Sequence, residues 1–390
     1  MARAVIDKPV DASWQGGFHI EEGMKEEETA LEKAWKDLSK NRDLNIISKL
    51  KRLDKLIGIG EYAVLLFGLS DAKTRLDFAN PTINKAELLY LRPLGENNAV
   101  IDTLEEDTSN SRYGLPLYYS ATLGDENIDV SFRVHYTRIL HVAGDVLEGT
   151  IKGQSRLASI YNRLIDLEKL VGGSAEMFWR GARPGYQGKV DQDYTLGDTE
   201  EDELQDQLDE YEHNLRRFLI SRGIDISAME TQISDPSKHV DVQVQMISAQ
   251  TGIPKRILTG SERGELSSSQ DIASWNALVE GRRSGFVENE IIRPFLDMCM
   301  RFGVLPPAKQ PNDFSVVWNQ PMFEQSAKEK AEVGKIRATA LKEYASQPMA
   351  ESIVPPDAFY KYFLGLTEEQ VDVIKDIQEK AMKEEGEEEE

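Results

Sequence analysis

Apolar positions change their spacing several times along the chain, and each change marks an element. Residues 1–55 open with an irregular stretch containing Trp14, Gly16 and Gly17. Leu31, Trp35 and Leu38 then recur at helical steps inside a charged run, which predicts a helix with one buried face. From Ile57 the pattern turns strand-like. YAVLLFGL, AELLYLRPL, LPLYYSATL and VSFRVHYTRIL are rich in β-branched and aromatic residues and are separated by Gly, Asn, Asp and Pro clusters. A mixed α/β domain over roughly 20–150 is expected. Leu157, Ile160, Tyr161, Leu164, Leu167 and Val171 restore helical spacing, with Ser155 placed as the N-cap. RGARPGYQG breaks that helix. HVDVQVQ (239–245) alternates like a strand and the next residues read as helical. A Gly- and Ser-rich connection leads to a long helix from about Gln270 to Arg301, with Trp275, Leu278, Phe286, Ile291, Phe295 and Met298 as its core face. FSVVWNQP is a last strand, followed by charged helices and a GEEEE tail.

Charge sharpens this reading. The 390 residues carry 68 acidic and 46 basic side chains, a formal net charge of −22. Such a chain repels nucleic acid on average, which disfavours a tight duplex binder working by phosphate neutralisation. The acid is concentrated: from Asp191 to Glu212 half the positions are Asp or Glu and none is Lys or Arg. Leu204, Leu208, Tyr211, Leu215 and Leu219 keep helical spacing there, which predicts a helix with an acidic outer face. The longest apolar run, Ala63–Leu69, is too short to span a bilayer, and the N-terminus has no apolar signal core. With Cys299 alone, in an apolar run, a disulfide framework is excluded and a buried thiol is expected. These features point to a reducing cytosol or a particle assembled there.

Enzyme motifs fail on spacing or context. Gly58 and Gly60 precede a strand-like run, whereas a dinucleotide fingerprint follows one. Asp191, Asp193 and Gly197 imitate a calcium loop, but the glycine comes one place late. Gly153-Gln-Ser155 lacks the closing glycine of a nucleophile elbow. Of the five histidines, His135 and His141 would share one face if their segment were a single strand, but no metal-ligand spacing occurs. There is no G-x-x-x-x-G-K-[ST], so the chain is not a P-loop motor. No cofactor or metal is expected.

The segment from Val134 to Gly185 resembles tailed-bacteriophage portal proteins, in particular the Mu-like group, through His135, Thr137, Arg138, Ile139 and Leu140, then Gly153 and Ser155. A second segment, Ile247 to Met300, is similar through Gly252, Ile253, Pro254, Leu258, Gly260, Ile292, Pro294 and Leu296. It departs where ELSSSQD replaces a more glycine-rich loop. RYGLPLYY (Arg112–Tyr119) is a third, weaker match, and together they span about residues 110–305.

The resemblance implies an α+β portal-like fold: a mixed α/β wing (1–152), a stem helix (153–179), a small α/β clip (180–238), a stem return (239–257) and a channel loop (258–270). A long helix and the rest of the wing (271–321) and a helical crown with its acidic tail (322–390) complete it. It implies a non-enzymatic subunit of a ring, a dodecamer, at one capsid vertex of the virion, assembled in the host cytoplasm. Double-stranded DNA would pass through. The terminase large subunit, the major capsid and scaffolding proteins and a head–tail adaptor would be partners, with no membrane. Arg256, Arg263, Ser267, Ser268, Ser269 and Gln270 are channel candidates for weak phosphate contacts. Asp198, Glu200, Glu201, Asp202, Glu203 and Asp206 are candidates for the motor-facing clip. The alternatives are another phage structural or adaptor protein and, from a different class, a hydrolase with an unrecognised site.

Overall fold

The computed structural model describes residues 1–22, 28–82, 85–123, 130–181, 186–190, 197–212, 224–228, 235–260, 268–309, 314–319, 327–347, 349, 354–365 and 371. The chain divides into two units, Met1–Met322 and Phe323–Glu390.

The first unit is built around strand β2 (Ala63–Leu69), which is buried at every position. Its alternate side chains serve two cores. Ala63, Leu65, Phe67 and Leu69 face a large core, and Val64 and Leu66 face a smaller one. That is why the run is continuously apolar although it lies in an antiparallel sheet. β3 (Leu88–Gly95) and β7 (Ile139–Val142) flank it, with Leu65 opposite Pro93 on one side and Leu140 on the other.

A second antiparallel sheet, β4 (Ala99–Leu104), β5 (Pro116–Leu123) and β6 (Val130–His135), closes the smaller core. The segment expected as one strand from Val130 to Leu140 is therefore two, in different sheets, separated by a 3-10 turn at Tyr136–Arg138. His135 and His141 consequently do not share a face.

The large core is covered by helices α1 (Ala2–Ser13), α2 (Ala30–Lys40) and α3 (Ile46–Ile59). The irregular reading of the N-terminus holds only for Trp14–Gly17; the residues before it form α1 despite Pro9. α2 opens on a capping box, in which Glu32 N–H donates to Thr29 Oγ1 at 3.3 Å and Thr29 N–H donates to Glu32 Oε2 at 2.7 Å. Leu31 and Trp35 are buried as their spacing predicts, Trp35 stacking on Phe18. Gly58 and Gly60 lie at a helix-to-strand junction, the reverse of a nucleotide-binding turn.

The long C-proximal helix is continuous from α8 (Ser268–Arg282) through a π-helical segment (Arg283–Ile292) to α9 (Arg293–Phe302). The π segment brings the fully buried Arg283 against the end of α1. Its Nε donates to Ser13 O at 2.9 Å and its Nη2 to Ala12 O and Gln15 O, so one cation caps carbonyls at the C-terminal end of α1 and just beyond it. Strand β1 (Phe18–Glu21) pairs with the strand formed by Ser315–Trp318, tying the two ends of the unit together.

A third core forms where α1 and α8 meet α4 (Tyr161–Gly181), α6 (Ser237–Thr251) and α7 (Lys255–Thr259), around Val5, Ile160, Ile247, Ile253, Trp275 and Val279. Between α4 and α6 the chain carries a two-stranded antiparallel sheet, β8 (Tyr186–Val190) with β9 (Ile224–Ala228), and helix α5 (Asp198–Glu212). In the second unit, α10 (Ala327–Ala345) ends where Tyr344 stacks on Phe359 at 4.0 Å and donates to Val354 O. The GEEEE tail lies outside the described residues.

Candidate functional site

α4 and α6 pack as an antiparallel pair. Arg163 lies near the middle of α6, donating to Gln243 at 3.3 Å, while Asp166 and Leu170, further along α4, share a groove with His239, earlier on α6. Two expectations need correction here. His239–Gln245 is helical throughout, because Val244 and Ile247 of α6 are buried at helical spacing. The helix expected to begin just after Gly153 begins at Tyr161, so the 153–179 span is helical only in its later part.

The pair leaves apolar side chains on its outside: Tyr161, Val171, Phe178 and Trp179 on α4, Val242 and Met246 on α6. Inserted beyond it, α5 presents Glu200, Glu201, Asp202 and Glu203 on an exposed surface, with Asp198 and Asp206 on the same helix. The calcium-like residues Asp191 and Asp193, and the helical positions Leu215 and Leu219, lie outside the described residues.

The channel candidates fall around the α7–α8 connection. The expected loop 258–270 is shorter at both ends: Leu258 and Thr259 belong to α7, while Ser268, Ser269 and Gln270 open α8. Arg256 on α7 is ion-paired with Asp271 at 3.7 Å, which ties the two helices across the connection. Gln270 is exposed. Arg263 and Ser267 lie outside the described residues.

The remaining motif residues hold backbone geometry. Arg138 is buried and bidentate on Asp71, at 2.7 and 2.8 Å, with its Nε donating to Asn80 O at 3.1 Å. It clamps the turn between the two sheets. His135 Nδ1 meets Thr137 Oγ1 at 2.9 Å, and burial, with Arg112 and Arg138 nearby, holds its imidazole below the usual histidine range. Gly153 lies where the chain passes against Gly144; a Cβ would fall 1.7 Å from Gly144 O. Ser155 caps only a local turn, accepting from Leu157 N–H and donating to Gly58 O, and is not the N-cap of α4. Gly252 ends α6 with φ 69°, a left-handed conformation that favours glycine. Pro254 is the N-cap of α7 and Gly260 its C-cap.

Sequence reasoning missed the partners of these residues. Asp71 for Arg138, and Asp54 for both Trp14 and Arg282, are buried or nearly so and far away in sequence. An isolated Asp followed by alanine or lysine carries no signal of burial. His141 is likewise structural: it stacks on Tyr62, meets Tyr119 Oη at 3.1 Å, and its Nε2 donates to Ile151 O at 2.6 Å. Cys299 is buried, which pushes its thiol pKa up. Among the described residues there is no group of three or more His, Cys, Asp or Glu placed to hold a metal ion, and no helix long and apolar enough to cross a membrane.

Three solved structures share the fold. The chain superposes on a protein from the neck of an empty GTA particle, computed with C6 symmetry, with TM-score 0.52 and 14% identity. It does so on one from the neck of the native GTA particle, computed with C12 symmetry, with TM-score 0.52 and 13% identity. A chain of the native gene transfer agent virion gives TM-score 0.51 and 14% identity. Each superposition covers 93% of this chain and 89% of the other. No curated protein matches. A sequence profile described as phage portal protein matches residues 1–343, the whole of the first unit and the start of the second. The chain therefore belongs to the phage portal protein family, and its place is the portal vertex of the capsid.

Proposed function

We infer that this chain assembles into a closed ring, a dodecamer, through which double-stranded DNA is packaged and ejected. The observation that carries this reading is the α4–α6 pair: apolar side chains on its outside and an acidic helix inserted at its far end. Large apolar side chains in such number on one pair of helices mark a surface that is covered in the working state. A ring covers them with the next copy. The C12 symmetry used for one structural neighbour supports twelve copies.

In this assembly α4 and α6 form the stem, and residues 180–238, with β8, β9 and α5, form the clip. The connection between α7 and α8 lines the channel, and the second unit is the crown. Acidic faces near the path of DNA repel its phosphates, so the duplex slides without being held. Arg256, Arg263, Ser267, Ser268, Ser269 and Gln270 supply the weak, sequence-blind contacts of the channel. Asp198, Glu200, Glu201, Asp202, Glu203 and Asp206 face the terminase large subunit during packaging and the head–tail adaptor afterwards. The major capsid and scaffolding proteins surround the wing. The role is structural and not catalytic, and movement of DNA needs a separate ATPase.

The test is to assemble capsids with an epitope-tagged chain, label them with gold-conjugated antibody, and image the purified rings end on. One focus per capsid and a twelve-fold ring are expected. Label scattered over the shell, or a protein that stays monomeric even in the presence of capsid and scaffold, overturns the reading.

A further inference from the structure

At the base of the α4–α6 pair, beside the third core, lies a cleft of about 380 Å³. That is within the ~300–1,000 Å³ range of small-molecule sites. Two arginines line it. Arg282 is nine-tenths buried and held in place: Nη1 donates to Ser13 Oγ at 3.0 Å, Nη2 binds Asp54, and Asp54 is fixed from its other side by Trp14 Nε1 at 2.7 Å. Its Nε is buried without a protein acceptor. Arg156 has a buried Nη1 that also lacks one. Asp54 neutralises Arg282 from behind, and the exposed Asp145 on the lining partly offsets Arg156, so the preference for an anion rests on the unsatisfied guanidinium donors and not on net charge. Burial, with Arg282 nearby, pulls the Arg156 pKa down to about 10, so it stays protonated at neutral pH.

A buried guanidinium donor left unpaired is costly, and a charge-assisted acceptor is the group that relieves it. Two arginines with such donors line one cleft, which favours an anion with more than one oxygen. The remaining lining is largely apolar, from Val5, Ile57, Ile253, Leu278 and Phe286, and the volume exceeds what an inorganic anion fills. We propose that the cleft between Arg156 and Arg282 binds a small organic oxyanion: a phosphate or carboxylate head on the two guanidinium groups, carrying a short apolar body against the aliphatic wall. Asp145, the exposed carboxylate on the lining, opposes entry and sets the affinity. The site joins α1, α3, the segment before α4, the end of α6, and α8. Its occupant therefore bridges the wing to the helix pair.

Phenyl phosphate and benzoate serve as probes and benzyl alcohol as the neutral control, titrated by calorimetry into the full chain at fixed ionic strength. Saturable binding of at least one anion and none of the alcohol is expected. Arg156→Gln should weaken anion binding at least tenfold, and Asp145→Asn should tighten it several-fold. Should Arg156→Gln fail to fold, Asp145→Asn and the neutral control decide the matter. Absence of saturable anion binding by the wild-type chain, equal binding of benzyl alcohol, or indifference to both substitutions overturns the proposal. The outcome is independent of ring assembly, since every lining residue belongs to one chain.

Discussion

Substituting Arg138 tests whether the two sheets are held together by one buried ion pair. Its guanidinium makes two charge-assisted hydrogen bonds to Asp71 and a third to Asn80 O, with side-chain exposures of 2% for Arg138 and 6% for Asp71. Arg138→Met keeps most of the volume and strands a buried carboxylate. Breaking one side of such a pair costs about 3–5 kcal/mol, roughly a thousandfold in the folded-to-unfolded ratio. Asp71→Asn removes the opposite charge and should cost about 3 kcal/mol by the same argument. In the double variant neither charge is stranded, so the loss should fall short of the sum by about 2–3 kcal/mol. Urea unfolding followed by tryptophan fluorescence measures all four proteins, with Trp14, Trp35 and Trp318 reporting on the large core. A cost below about 1 kcal/mol for Arg138→Met, or simple additivity in the double variant, would refute the reasoning. Arg138 would then be an incidental contact and not the clamp.

Three further outcomes follow from the same geometry. Gly153→Ala should destabilise by about 3 kcal/mol, because its Cβ meets backbone and not a movable side chain, whereas Gly149→Ala, in open space, should be nearly neutral; thermal melts compare them. Burial holds His141 below its ordinary value of 6.5, so the unfolded chain takes up the proton first. The contribution of His141 is full above about pH 6.5 and is lost as the pH falls through its depressed folded value; the urea midpoint should therefore drop on acidification, and drop less in His141→Gln. Val171→Glu and Phe178→Glu alter exposed positions on α4, so they should leave the monomer's melting unchanged while reducing the yield of rings by native mass spectrometry, and an unaffected yield would remove α4 from the subunit interface.

The sequence by itself determined the elements whose reason is local. The unbroken run Ala63–Leu69 reads as a strand, and the spacing of Trp35, Ile291, Phe295 and Met298 identifies core-facing helical positions. The acid in Asp198–Glu212 follows from composition alone, and each catalytic motif fails on spacing or context along the chain. The portal resemblance was legible because His135, Arg138, Gly153 and Gly252 answer backbone demands that few other residues meet. Tertiary structure decided the rest. HVDVQVQ satisfies strand alternation, but Val240, Val244 and Ile247 also lie on one helical face, and packing against α4 selects the helix. The single strand expected over 130–140 breaks at Tyr136–Arg138 because Arg138 must turn inward to reach Asp71, 67 residues away. α1 carries Pro9 inside it, and its C-terminal end is capped by Arg283, 270 residues after Ser13, a partner that no local pattern announces. The charges of the cleft were invisible for the same reason: whether an arginine is solvated, paired or left with a donor to spare depends on groups that only folding brings within hydrogen-bond range.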